Sequence, residues 1–161
     1  MRAGSQGARL AAGPGRRRSP LRARLEARAF GVAVGRLGMS IDNTRILEVA
    51  GRRTGTIRAT PVKLLEVNGT RYLVGLCIGS EWPANLRAAR IAKLRKGRSV
   101  VQAEAVELPA GERPTILRAY LMAATRPKTL SLLGGGSRNP TDTHLAAIAA
   151  DHPVFRIRVI D

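Results

Sequence analysis

The chain has 161 residues and a formal net charge of +17, from 28 Lys plus Arg against 11 Asp plus Glu. This length fits one domain, and the positive charge favours an anionic partner. One cysteine and two histidines exclude an internal disulfide and a closed structural zinc site, and 3% aromatic residues weigh against base stacking on single-stranded nucleic acid. No apolar run approaches the ~20 residues of a membrane span, which predicts a soluble, cytoplasmic protein.

A large part of the charge lies in the first 28 residues, which contain eight arginines and one acid, Glu26. Residues 1–20 are rich in Gly, Ser, Pro and Arg and have no apolar periodicity, so they are predicted to form a basic, disordered tail. Peripheral contact of this tail with a membrane surface is the alternative interpretation. Residues 21–161 are then predicted to form a single domain.

After the tail, the sequence changes from a helical to a strand pattern. A helix is predicted from Leu21, because Phe30, Ala33, Val34 and Leu37 share one face and Gly38 lies near its end. Three β-rich runs follow, and Asn68-Gly69 between the last two is a hairpin signal. These runs are Thr44–Ala50, Ile57–Val67 and Thr70–Leu76.

The middle of the chain predicts a short helix and a second hairpin. Pro83 is expected at the first position of the helix, where its missing N–H costs nothing. Two further strands, Ile91–Leu94 and Ser99–Leu108, flank a basic turn that contains Gly97.

The C-terminal part predicts two helices, a loop and a last strand. The helices are Glu112–Ala124 and a second one, capped by Asn139-Pro140, that continues to Ala150. Between them, residues 126–139 contain three consecutive glycines and are predicted to form a mobile loop. Val154–Ile160 alternates apolar residues with arginine, as a half-buried strand does. The order of elements predicts an α+β, mainly β fold, a small antiparallel barrel of about six strands decorated by helices.

The segment between the first two strands, residues 51–58, has the chemistry of an anion site. Gly51 and Gly55 allow close approach of the backbone, and consecutive N–H groups in a tight turn can line a concave donor site. Thr54 adds a hydroxyl donor, and the Arg53 and Arg58 guanidiniums can bind phosphate or carboxylate oxygens in a bidentate way. A solvated hairpin turn with surplus arginine is the competing interpretation. The spacing of a Walker loop is absent.

The wider sequence resembles the deazaflavin-dependent nitroreductase and quinone reductase family. The resemblance is carried by G-R-R-T-G-T-I-R-A-T-P at residues 51–61, followed in order by W-P-A-N-L-R at 82–87, E-A-V-E-L-P-A-G-E-R at 104–113 and D-H-P-V-F-R-I at 151–157. It covers about residues 44–159 and implies a split β-barrel related to folds that bind flavin mononucleotide.

The resemblance implies coenzyme F(420), in preference to flavin mononucleotide, as the cofactor. This deazaflavin carries a phosphate and an oligoglutamate tail and donates a hydride from carbon 5 to an electron-poor acceptor, such as a quinone, nitro or enone compound. By position, the residues implied for cofactor binding are Arg53, Thr54, Gly55 and Arg58 at the phosphate and tail, Arg52 as an outer contributor, Pro61 beside the ring, the backbone of Leu76 and Cys77 at the ring edge, and Asn85 as a hydrogen-bonding group.

Two departures from the family pattern affect the substrate side. Pro83 stands where relatives carry a tyrosine, and residues 76–78 read Leu-Cys-Ile where relatives often carry lysine. The proton donor is therefore not assigned. A non-catalytic binder of a hydrophobic ligand on the same barrel, and a basic nucleic-acid-binding module, remain the alternatives. The expected partner is a small-molecule acceptor, and no specific nucleic acid is expected. The protein is expected to be a monomer or a homodimer.

The other chemically active residues carry weaker signals. Trp82 is expected either to line the acceptor pocket or to anchor the core. Cys77 is expected to be a small buried residue. His144 and His152 are expected to be structural or exposed, and Tyr120 to pack on an apolar helix stripe. The acids expected at surface or hairpin positions are Glu48, Glu66, Glu81, Glu104 and Glu107.

Overall fold

Six β-strands form a closed barrel in the computed structural model, which describes residues 43–160. Each strand is hydrogen-bonded to its neighbours in an antiparallel manner, in the order β1-β2-β3-β6-β5-β4 around the barrel. The predicted fold class, an α+β, mainly β barrel of six antiparallel strands decorated by helices, is confirmed. The strands are β1 (Asn43–Ala50), β2 (Ile57–Val67), β3 (Thr70–Val74), β4 (Ile91–Lys96), β5 (Ser99–Glu107) and β6 (Val154–Ile160).

Within residues 43–160, four α-helices connect the strands. Helix α1 (Glu81–Ala89) lies between β3 and β4, and α2 (Arg113–Ala123), α3 (Pro127–Gly134) and α4 (Asp142–Ile148) lie between β5 and β6. A single 3-10 turn, Ala110–Glu112, leads into α2. The helix predicted to start at Leu21 and the basic tail lie outside the described residues.

Two tight turns fix the register of the hairpins. Asn68 and Gly69 have φ angles of +50° and +75°, which is the conformation a two-residue type I′ turn needs. Gly97 has a φ of +57°, so the second turn consists of Gly97 and Arg98, and β4 continues two residues beyond the predicted Leu94. Both turns lie at one end of the barrel, because β2 and β4 run towards it. The loop of residues 51–56, α1 and the α2–α4 segment therefore lie at the opposite end.

The buried apolar side chains form two clusters, one on each face of the barrel sheet. One fills the interior, with Leu47, Leu73 and Phe155 almost completely buried. The other lies between the outer face of the sheet and helices α2 to α4. Strand β2 contributes to both, because Leu64 points into the barrel while Leu65 packs under the helices.

The segment predicted to be a mobile loop contains helix α3, so that prediction is wrong. Leu133 is completely buried, and a Cβ on Gly134 would lie 3.2 Å from Leu121, which shows how closely α3 approaches α2. Gly135 and Gly136, with φ angles of +57° and +91°, end the helix. The triple glycine therefore provides one packing contact and a helix terminus.

Two helix starts also differ from the predictions. Helix α1 begins at Glu81, so Pro83 occupies the third helical position, where the N–H would still have no partner within the helix. Helix α4 begins at Asp142, and its N-cap is Thr141, whose Oγ1 accepts the His144 N–H at 3.2 Å. Strand β3 ends at Val74, two residues before the predicted Leu76.

Candidate functional site

A pocket of about 530 Å³ lies at the end of the barrel that carries the loop of residues 51–56. This volume falls within the roughly 300–1,000 Å³ of small-molecule sites. The loop, the first residues of β2 and the first two turns of α1 form its walls. Its lining residues are Gly51, Arg52, Arg53, Thr54, Arg58, Ala59, Thr60, Glu81, Trp82 and Asn85. The sequence-predicted residues Arg52, Arg53, Thr54, Arg58, Trp82 and Asn85 are therefore brought together.

Hydrogen bonds within the loop use half of its backbone N–H groups. The Gly51 N–H donates to the Thr56 carbonyl at 2.9 Å, and the Gly55 N–H donates to the Gly51 carbonyl at 2.8 Å. The Thr56 N–H donates to Thr54 Oγ1 at 3.3 Å, which leaves the hydroxyl proton of Thr54 available. Within residues 43–160, the N–H groups of Arg53 and Thr54 have no protein acceptor. Only these two backbone N–H groups of the loop can therefore donate to a ligand, fewer than the run of N–H groups expected from the sequence.

Asn85 connects the loop to helix α1. Its side chain is 5% exposed, and Oδ1 accepts two hydrogen bonds from Arg52, one from the backbone N–H and one from Nη1, both at 3.1 Å. An oxygen that accepts two donors fixes the orientation of the amide. Nδ2 is then the Asn85 atom that can donate to a ligand. Because Asn85 is buried in a short helix, this contact ties the loop to a rigid element.

Arg52 also forms an ion pair with Glu81, one turn before Asn85 in α1. The Arg52 side chain is 28% exposed, whereas that of Glu81 is 72% exposed and lines the pocket. The hydrogen bond from Arg52, together with the positive charges of Arg52, Arg53 and Arg58, holds the pKa of Glu81 below its usual range. Glu81 is at the surface as expected, but its position in the pocket was missed; the i, i+4 spacing to Asn85 is the signal that places both on one helix face.

Arg53 and Arg58 are the cations of the pocket that lack a partner. Both residues are exposed, and neither side chain forms a hydrogen bond or ion pair with another of the described residues. Arg58 is the second residue of β2, close to the loop, and a Cβ on Gly51 would lie 3.9 Å from its Cγ. These two guanidiniums are therefore available to an anionic ligand.

Trp82 combines the two roles left open by the sequence. Its ring lies 5.9 Å from that of Phe155, with the planes inclined by 50°, and it packs against the interior core. The same side chain lines the pocket that the arginines line. The tilted aromatic contact fixes the ring as a rigid apolar wall.

Four of the predicted cofactor-binding residues do not line this pocket. Gly55 has a φ of +70° and forms part of the turn in the loop. Pro61 follows the lining residue Thr60 in β2 and is paired with Ile46 in β1. Leu76 packs against the core under the helices. Cys77 is exposed, so its prediction as a buried residue is wrong; it lies in the projecting turn of residues 77–80, where its carbonyl accepts the Ser80 N–H.

The histidines are structural. His152 is 3% exposed, and its Nδ1 lies 2.9 Å from the Gly75 carbonyl oxygen, which can only accept, so Nδ1 carries the proton. His144 Nε2 donates to the Leu133 carbonyl at 2.9 Å. Tyr120 is buried as predicted, and burial raises its pKa. Among residues 43–160, no three His, Cys, Asp or Glu side chains are grouped to hold a metal ion, and no helix is long and apolar enough to cross a membrane.

The fold and the pocket together define a class of protein: an antiparallel barrel with a cationic, small-molecule pocket at one end. Residues 22–128 match the family described as F(420)H(2)-dependent quinone reductase, and the chain belongs to this family. It is therefore an oxidoreductase, and its cofactor is coenzyme F(420). No curated protein matches the chain.

The chain is similar to several solved structures. One, described as a domain-swapped dimer, has a TM-score of 0.51 at 18% identity. The match covers 86% of this chain and 96% of the chain in that structure. An F(420)H(2)-dependent reductase has a TM-score of 0.44 at 19% identity, and the match covers 76% of this chain and 99% of the reductase chain. An FAD-binding protein from Mesorhizobium loti has a TM-score of 0.46 at 16% identity, and the match covers 84% of this chain and 90% of that protein's chain.

Proposed function

We propose that this chain transfers a hydride from reduced F(420) to an electron-poor organic acceptor, a quinone in the first place and a nitro or enone compound as related substrates. The observation that carries the proposal is the pairing of two unpartnered arginines, Arg53 and Arg58, with the apolar wall of Trp82 in one pocket. One side of such a pocket suits phosphate and carboxylate groups, and the other suits a flat ring system.

The donor set fits the proposed cofactor. Its phosphate and oligoglutamate tail need cations and N–H donors, which Arg53, Arg58 and the N–H groups of Arg53 and Thr54 supply. The Thr54 hydroxyl and Asn85 Nδ2 add two neutral donors, and Gly55 gives the loop its turn. We assign Arg52 an outer role, because its guanidinium is held by Glu81 and Asn85.

The ring-side assignments continue the same proposal along the pocket rim. Pro61 follows the lining residue Thr60 in β2, and would limit the space beside the ring system. The backbone groups of Leu76 and Cys77 lie on the connection from β3 to α1, at the same end of the barrel. Trp82 would face the acceptor. None of these contacts requires an acidic or basic side chain.

When bound, reduced F(420) supplies the hydride from its carbon 5. The residues of the chain bind the anionic groups, align the ring with the acceptor and exclude water between them. Pro83 is buried in α1 and has no proton to donate, so we propose that a proton needed by the acceptor comes from solvent through the open side of the pocket.

The test is turnover with a series of acceptors. Purified protein is mixed with reduced F(420) and menadione, a nitroaromatic compound or an enone, and the return of oxidised deazaflavin absorbance is followed. We expect oxidation that depends on enzyme and acceptor and is fastest with the quinone. Binding of F(420) without turnover of any acceptor, together with a co-purified lipid, would contradict this proposal and support the non-catalytic binder.

A further inference from the structure

A carboxylate in an anion-binding pocket calls for an explanation. Glu81 is the acidic lining residue of the pocket, beside three arginines, Arg52, Arg53 and Arg58. Its side chain is largely exposed and lines the pocket that an anionic ligand would occupy. A negative charge at this place repels phosphate and carboxylate groups. The Glu81 charge therefore opposes anion binding, and its other effect is on Arg52, with which it forms an ion pair.

Contacts other than the Glu81 ion pair also hold the loop in place. The Arg52 backbone N–H and Nη1 both donate to Asn85 Oδ1, and Gly51 and Gly55 are held by hydrogen bonds within the loop. These contacts do not involve the Glu81 carboxylate. What the carboxylate adds is neutralisation of the Arg52 guanidinium.

We propose that Glu81 is a built-in counter-ion that occupies Arg52 and lowers the affinity of the pocket for anionic ligands. The proposal deepens the function given above and rests on it for the identity of the natural ligand. Arg53 and Arg58 are then the cations that hold the ligand, and Arg52 serves the loop. A cofactor that acts as a co-substrate has to leave after each turnover, and a counter-ion in its pocket shortens its residence.

The test compares Glu81→Gln with a control of equal charge change, Glu66→Gln. Glu66 forms an exposed ion pair with Arg71, at 3.5 Å, near the other end of β2. Affinity is measured for inorganic pyrophosphate by calorimetry and for oxidised F(420) by fluorescence. We expect Glu81→Gln to bind both probes about three- to tenfold more tightly at low ionic strength, with the gain shrinking in high salt, and Glu66→Gln to match the wild type.

A double variant separates the counter-ion from a direct role of Arg52. Arg52→Gln leaves the Glu81 charge uncompensated and should weaken pyrophosphate binding, and adding Glu81→Gln should restore the wild-type affinity or exceed it. Equal or weaker binding by Glu81→Gln, or no recovery in the double variant, would overturn the proposal. A wild-type protein that binds pyrophosphate but not F(420) would contradict the proposed function, while the comparison of the two Gln variants with pyrophosphate would still decide the role of Glu81.

Discussion

Replacing Asn85 by alanine removes two of the hydrogen bonds that tie the loop to helix α1. The variant loses the acceptor of two hydrogen bonds from Arg52, one of them from a charged donor, and leaves a partly buried backbone N–H without a partner. Neutral hydrogen bonds contribute about 1 kcal/mol and charged ones about 1.5–3 kcal/mol. Partial replacement by water reduces the sum to about 2 kcal/mol. For a chain of this size, the melting temperature should fall by about 4–8 °C.

The same variant should bind F(420) about tenfold more weakly, because the loop that presents the N–H groups of Arg53 and Thr54 is no longer fixed. Thermal unfolding and fluorescence titration measure the two effects. Asn139→Ala is the matched control, since exposed Asn139 accepts one hydrogen bond from Arg118 away from the pocket. Asn85→Asp keeps the acceptor but loses the Nδ2 donor, so it should retain more stability than Asn85→Ala and still bind weakly. Wild-type stability and affinity in Asn85→Ala would refute the reasoning.

Three further variants test the pocket and the core. Arg53→Gln combined with Arg58→Gln should weaken F(420) binding at least tenfold and flatten its dependence on salt. Glu107→Gln should lower the free energy of unfolding at neutral pH. The hydrogen bond and positive charge of its arginine partners lower the carboxyl pKa from 4.5, so wild-type Glu107 loses its advantage as the pH falls below about 4.5. Gly75→Ala should destabilise by about 1–3 kcal/mol, because the new Cβ would lie 2.8 Å from Pro153 Cγ.

Each of these variants has a control elsewhere on the barrel. Arg98→Gln with Arg156→Gln removes the same charge from exposed positions and should leave F(420) affinity within a factor of two or three at physiological salt. Glu104→Gln breaks an exposed ion pair and should change stability by less than about 1 kcal/mol. Gly111→Ala adds a Cβ in open space and should be tolerated. A control that changes as much as its test variant would contradict the corresponding prediction.

The barrel could be predicted because its signals are local. The positive φ angles of Asn68 and Gly69 are what an Asn-Gly turn adopts, and the alternation in Val154–Ile160 reflects a strand with one buried face. Helix α3 was missed because its burial depends on contact with α2: Leu133 and Gly134 pack against residues that are distant in sequence. Helix α4 begins at Asp142 with Thr141 as its N-cap, later than predicted, because the Asn139 side chain instead accepts a hydrogen bond from Arg118.

The pocket could be predicted only in part, for a similar reason. The glycines and arginines of residues 51–58 are adjacent in sequence, so their chemistry is readable there. The roles of Glu81 and Asn85 depend on where α1 lies relative to the loop, 29 and 33 residues away from Arg52. Exposure of Cys77 likewise depends on the path of the chain between β3 and α1.

Titration of oxidised F(420) with the purified chain, beside a titration with flavin mononucleotide, tests the central claim most directly. The account predicts saturable quenching of deazaflavin fluorescence, weaker or no binding of flavin mononucleotide, and loss of binding when Arg53 and Arg58 are both replaced by Gln. Absence of quenching at high cofactor concentration, or equal binding by the wild type and the double variant, would contradict it.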